Sequence, residues 1–258
     1  MTDQSVHFPQ FYMTLPAPCP YLPGRQERKV FTELSGHDAA ALNDALSLIG
    51  FRRSQRVAYR PACEGCAACL SVRVPVADFA PDRRMRRIRK LNADLIEQVT
   101  PAWVTDEQFL LLRDYIDARH ASGGMADMDL YDFTAMVEDT AVDTQMVEYR
   151  LRNLDDPAAA PSRLLAACLT DVMDDGLSMI YSFYAPEQSA RSLGTLMILA
   201  HIERTRRLGL PYVYLGYWIE NCRKMSYKAD FQPLEAFRGE RWVRLAPPTA
   251  RHHQKDPS

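Results

Sequence analysis

The sequence predicts an α+β protein, α/β-like in its second half, on three observations. Gln145–Leu151, Leu164–Val172 and Leu177–Tyr184 read as successive strands, with Asp155-Asp156-Pro157 and Asp174-Asp175-Gly176 as the turns between them. A helix over residues 192–208, closed by Gly209, then returns the chain to a short aromatic strand, Tyr212–Tyr217. Strands that feed a helix and come back as a strand build a mixed sheet. The third observation is bulk: 258 residues, 47% hydrophobic and 25% charged, suit one large or two modest soluble domains. A wholly disordered chain and a small disulfide scaffold are excluded.

Taken in order, residues 1–36 are rich in proline and turn formers and end in a strand, Lys29–Leu34. Asp38 opens a helix with the stripe Leu42, Leu46 and Ile49, stopped by Gly50. Phe51–Arg60 reads as one strand with exposed arginines. Leu70, Val72, Val74 and Val76 alternate with polar positions as a half-buried strand, and Pro75 marks its end or an edge. A helix is expected from Arg83 to Val99, striped by Met85, Ile88, Leu91, Leu95 and Val99. Thr105-Asp106-Glu107-Gln108 is a capping-box pattern opening another helix. These elements divide into an N-terminal domain over 1–101, a second domain over 102–245, and a loose tail over 246–258.

Charge and compartment narrow the function. With 31 basic and 33 acidic residues the net charge is −2, so any contact with nucleic acid must come from a local patch. Arg83, Arg84, Arg86, Arg87, Arg89 and Lys90 form one such patch at a helix start, where positive charge opposes the helix dipole. No apolar run is long enough to span a membrane, and the first residues lack the basic start and apolar core of a signal peptide. The expected compartment is therefore the cytoplasm, where clustered cysteines favour metal or redox chemistry over disulfides.

Three constellations carry chemistry. Cys63-x-x-Cys66-x-x-Cys69 lets one tight loop offer three thiolates, with Cys19 as a natural fourth. Such a set suits zinc or an iron–sulfur cluster, and spacing does not choose between them. Small core cysteines are the plainer alternative. The stretch YSFYAPEQSARSLG, ending at Gly194, leads from a strand into a helix whose free N–H groups suit an anion. Tyr212–Lys228 packs tyrosines, a tryptophan and three cations, a composition fit for stacking and anion contacts or simply for an aromatic core strand.

Together these regions resemble the arginyl-tRNA–protein transferase family, including its bacterial aspartate/glutamate leucyltransferase branch. The resemblance rests on CPYLPGRQERKVFTEL, GFRRSQRVAYRPACEGCAACLSVRV, FAPDRRMRRIRKLN, RSLGTLMILAHIERTRRLGLPYVYLGYWI and NCRKMSYKADFQPLE, and spans roughly residues 19–240. It implies a C-terminal acetyltransferase-like (GNAT-type) domain. It also implies an aminoacyl transfer, here of leucine from leucyl-tRNA to proteins with N-terminal Asp or Glu, which marks them for degradation. No cofactor is required for that chemistry, because the ester is already activated. Family members of the arginyl type use N-terminal cysteines for metal, but this chain has Leu22 where a Cys19-x-x-Cys pair would need its second thiol.

The resemblance implies roles as well. Asp171 is expected as general base and Tyr181 as proton relay. Ser192, Gly194 and Tyr217 are expected at the substrate, and Lys224 and Lys228, beside Arg223, at the acceptor's acidic side chain. Arg52, Arg53, Arg83, Arg86, Arg87 and Lys90 are expected on the tRNA. An arginyl donor, an acetyl-CoA donor and a non-catalytic, metal-stabilised RNA-binding module are the alternatives. The absence of a clear pyrophosphate loop at Arg191–Leu196 counts against acetyl-CoA.

Overall fold

The structure is a computed structural model that describes residues 9–119, 124–153, 162–220, 222 and 224–247. Strands β1 (Tyr12–Met13), β2 (Ala17–Pro18), β3 (Gln26–Glu27) and β4 (Lys29–Glu33) precede helix α1 (Ala39–Leu48). Then come β5 (Arg52–Ser54), β6 (Val57–Pro61), β7 (Leu70–Pro75), α2 (Arg83–Leu91) and β8 (Leu95–Pro101). Helices α3 (Asp106–Arg119) and α4 (Leu130–Glu138) lead to β9 (Thr144–Leu151), β10 (Leu164–Met173) and β11 (Gly176–Tyr184). Helix α5 (Leu193–Arg207), β12 (Tyr212–Trp218), β13 (Glu235–Arg238) and β14 (Arg241–Arg244) complete the order.

Two main sheets result. A four-stranded sheet has the order β1-β4-β6-β5, and an eight-stranded sheet the order β14-β13-β7-β12-β11-β10-β9-β8. The large sheet is mixed, as expected: β11 and β12 pair parallel across the α5 crossover, while its other neighbours pair antiparallel. All but one of the ten residues of β10 are buried, so both of its faces are covered. Leu112, Ile116, Phe133 and Phe183 pack in one core cluster, and Val72, Val74, Ile202 and Phe231 in a second.

The two parts expected to divide near residue 102 share the large sheet. Strand β7 lies inside the large sheet between β13 and β12, and β8 pairs with β9, so residues 70–101 belong to that sheet. Arg73 fixes β7 there. Its guanidinium stacks 3.5 Å from the Tyr212 ring and 4.2 Å from the Trp242 ring, and bonds Glu235 at 2.9 Å.

Two element assignments also change. The helix expected over 83–99 ends at Leu91, where Asn92 returns its side-chain amide to Ile88 O at 2.9 Å, and Leu95 and Val99 belong to β8. Phe51–Arg60 is a hairpin, not one strand, turning at Gln55 with φ 52°. The capping box of α3 is present: Thr105 Oγ1 accepts from Gln108 N, and Gln108 Oε1 accepts from Thr105 N. The Asp155-Asp156-Pro157 turn, Arg223 and residues 248–258 of the tail lie outside the described residues.

Candidate active site

The geometry begins where β11 and β12 part. Their parallel pairing covers only Gly176–Ser178 against Tyr212–Tyr214, although both strands run on. The register of β12 against β7 skips Leu215, a bulge completed by Gly216 at φ 83°. A bulge bends and twists its strand, and here it carries β12 away from β11. Arg52 fills the base of the gap. It donates to Ser178 Oγ at 3.0 Å and to the Met179 carbonyl at 2.8 Å, and a Cβ on Gly216 would lie 3.5 Å from its guanidinium.

Above this wedge lies a cavity of about 580 Å³, within the ordinary range of small-molecule sites. Met179, Ile180, Leu193, Ile198, Leu215 and Met225 give it apolar walls. Tyr181, expected as proton relay, lines it together with Ser192, Gly194, Lys224 and Lys228, four of the residues expected at the substrates. Tyr21 and Tyr227, from two of the quoted motifs, also line it, as do Tyr115 and Arg119, which carry no motif signal and arrive with α3. Arg119 ends α3, with its guanidinium 5.6 Å from the centre of the Tyr184 ring. Among the described residues lining this cavity there is no Asp, Glu or His.

The segment before α5 is held firmly. Ser192 adopts φ 54° between a 3-10 turn, Pro186–Arg191, and the helix, and no side chain caps α5. Non-glycine residues pay for that backbone region unless neighbours impose it. Arg191 imposes it: its guanidinium pairs with both carboxylate oxygens of Asp94 at 2.8 Å, and its carbonyl accepts from Asn92 Nδ2 at 3.0 Å. The hydrogen bonds from Arg191 hold the Asp94 carboxyl below its usual range. The first N–H groups of α5 are thereby fixed at the cavity wall, where Ser192, Leu193, Gly194 and Thr195 all lie.

Several sequence expectations are corrected here. Asp171 does not reach the cavity: it is 1% exposed and pairs with Arg53 through two contacts of 2.6 Å, with Thr144 Oγ1 donating at 2.9 Å. Buried and held by three donors, this carboxylate is not among the residues lining the cavity. Arg53 and Arg52, expected on tRNA, are 4% and 7% exposed and are spent on Asp171 and on the β11–β12 gap. Tyr217, expected at the substrate, turns its hydroxyl to the carbonyls of Gly50 and Tyr59 at 3.1 and 3.0 Å and lines a different cavity. Burial pushes the Tyr181 hydroxyl up to about 12, so it is a hydrogen-bond donor at neutral pH.

That second cavity, about 80 Å³, gathers Cys19, Cys63, Cys66 and Cys69. The thiols are neighbours: burial, then the charges of the other three cysteines, push Cys69 up to about 11. Arg28 N donates to Cys63 Sγ at 3.5 Å. Among the described residues, however, no three His, Cys, Asp or Glu side chains are arranged to hold a metal ion. The four thiols expected as ligands nonetheless line this one cavity together. On α2, Asp82 caps the helix by accepting from Met85 N at 2.7 Å, which sets one negative charge beside the basic helix start. Arg83, Arg86, Arg87 and Lys90 are all exposed, and Arg86 also donates to Pro81 O.

The site thus combines a split parallel strand pair, an uncapped helix start and a cavity carrying cations and, among the described residues lining it, no Asp, Glu or His. The class of the protein comes from comparisons with known proteins. The family profile described as Arginine-tRNA-protein transferase, C terminus, matches residues 107–238, and its N-terminus counterpart matches 17–87. The aspartate/glutamate leucyltransferase of Parvibaculum lavamentivorans is 59% identical over 94% of this chain and 98% of its own. That of Xanthobacter autotrophicus is 56% identical over 95% and 99%. Among solved structures, L-PGS from Bacillus licheniformis overlays with a TM-score of 0.43 at 9% identity, covering 63% of this chain and 52% of that one. The chain belongs to the arginine-tRNA-protein transferase family and is an aminoacyltransferase.

Proposed function

We propose that the protein transfers leucine from leucyl-tRNA to the α-amino group of proteins beginning with Asp or Glu, giving them an N-terminal leucine that directs them to degradation. The observation that carries the donor assignment is the cavity lining: apolar walls with cations and, among the described residues, no carboxylate. A leucyl side chain is satisfied by Met179, Ile180, Leu193, Ile198, Leu215 and Met225. An arginyl side chain would bring an unpaired guanidinium among cations, which costs several kcal/mol. The names of the relatives support the same donor.

The chain's own groups serve the reaction as follows. The acceptor's α-nitrogen attacks the ester carbonyl carbon, and negative charge develops on the carbonyl oxygen. The N–H groups opening α5 and the Tyr181 hydroxyl, which line the cavity, are assigned to receive that charge. Arg119 and Lys224 are exposed at the cavity, whereas Lys228 is half-buried, so the acceptor's carboxylate is assigned to Arg119 and Lys224. The exposed cations of α2 are assigned to the phosphates of the tRNA.

Purified protein, an Asp-initiated peptide and tRNA charged separately with labelled leucine or arginine test this reading. Label is expected on the peptide from leucyl-tRNA, with arginyl-tRNA at least about 100-fold slower, the equivalent of roughly 2.7 kcal/mol. Equal transfer from both would remove the donor assignment. Neutralising Arg83, Arg87 and Lys90 together is expected to flatten the salt dependence of tRNA affinity by about two units of slope. An unchanged slope would move the tRNA off α2.

A further inference from the structure

Leucyl transfer needs a proton acceptor, and the described residues lining the cavity include no carboxylate or imidazole to be one. Burial raises Tyr181 and Tyr227 to about 12 and Tyr115 higher still, so these three donate rather than accept. Arg119 offers a guanidinium, which has donors and no acceptor. Lys228 differs by its position. Its Nζ donates to the Tyr217 carbonyl at 2.7 Å, beyond the point where β12 has left β11, which anchors the amine at the cavity wall.

We infer that Lys228 acts as a neutral amine, the general base that takes the proton from the acceptor's attacking α-nitrogen. The inference rests on the leucyl-transfer reading and supplies the base that Asp171 cannot be. The hydrogen bond to Tyr217 uses one N–H and leaves the nitrogen lone pair free to face the cavity. Burial, reinforced by the Arg52 guanidinium, brings the Lys228 ammonium down to about 7, while Cys222 acts in the opposite direction. Lys224 and Arg119 share the cavity and add positive charge, and the un-ionised hydroxyls of Tyr21, Tyr181 and Tyr227 add none.

The step balances without any other reactant. A bond forms between the acceptor nitrogen and the leucyl carbonyl carbon, and the ester bond from that carbon to the ribose oxygen breaks. The proton released by nitrogen passes to Lys228 and then to the departing ribose oxygen, which restores the neutral amine.

The test is the single-turnover rate of leucyl transfer to an Asp-initiated peptide, with both substrates saturating, across pH 5.5–9. Lys228→Ala is expected to lose roughly 100-fold or more, the usual worth of a positioned base. Lys228→Arg is expected to lose as much, because a guanidinium does not deprotonate and offers no lone pair to the attacking nitrogen's proton. A small primary amine such as ethylamine is expected to restore the Ala variant in proportion to its neutral form. Thermal melts and leucyl-tRNA binding within twofold of wild type confirm that the variants are folded, and Lys228→Gln replaces any that is not. An Arg variant near the wild-type rate, or a loss confined to the KM of the peptide, would overturn the base role. Failure of the wild-type protein itself to use leucyl-tRNA would instead overturn the underlying reading.

Discussion

Replacing Arg53 with methionine is expected to destabilise the protein by about 3–5 kcal/mol while leaving the exposed cations of α2 untouched. The reason is the charge left behind. Asp171 is 1% exposed and takes two contacts of 2.6 Å from the Arg53 guanidinium, and Thr144 offers only a single further donor. Without the cation, the carboxylate must stay buried and unpaired or take up a proton, and either course costs stability. Urea unfolding gives the measure: the midpoint should fall sharply with little change in slope. The double variant Arg53→Met, Asp171→Leu should recover much of the loss, because removing both members of a buried pair costs far less than removing one. A stable Arg53→Met protein with weakened tRNA binding would show the side chain to be a phosphate contact after all.

The second large effect is expected at Gly176→Ala. A Cβ there would sit 2.2 Å from the Tyr212 backbone carbonyl oxygen, and Gly176 and Tyr212 are register partners at the start of the parallel pair. The obstacle is main chain on both sides, so no rotamer change relieves it. Overpacking that cannot be absorbed costs about 3 kcal/mol or more, and the shift falls on the strand pair whose parting forms the cavity. Loss of stability and of leucyl transfer should therefore appear together, as a lowered melting temperature and a reduced rate in the surviving folded fraction. Unaltered activity at unaltered stability would mean that the strand junction tolerates displacement and does not set the cavity's shape.

Local signals in the sequence located much of the scaffold. The run β9–β10–β11–α5–β12 was legible because alternation, Asp-rich turns and a closing glycine act over a few residues. The helix over 83–99 was misread because Leu91, Leu95 and Val99 keep a helical spacing through the end of α2. Period alone does not register the Asn92 cap. GFRRSQ was legible as a motif but not as a location: arginines on a short strand look solvent-facing until a buried partner 118 residues away accounts for them. The cavity was half-visible for the same reason. Tyr181, Ser192, Gly194, Lys224 and Lys228 lie in recognisable stretches, whereas Tyr115 and Arg119 become neighbours of the site only through the packing of α3.

The wedge at Arg52 has a consequence for how proteins of this family can be recombined. The side chain that props open the β11–β12 gap comes from the hairpin of the small sheet, and β7 supplies an interior strand of the large one. A hybrid joined at residue 102 from two relatives would pair one parent's prop and interior strand with the other parent's cavity walls. Exchanging 52–75 together with 176–218 keeps those parts matched. Donor preference is then a property of both segments, and selection acting on an early hairpin can retune a pocket built more than a hundred residues later.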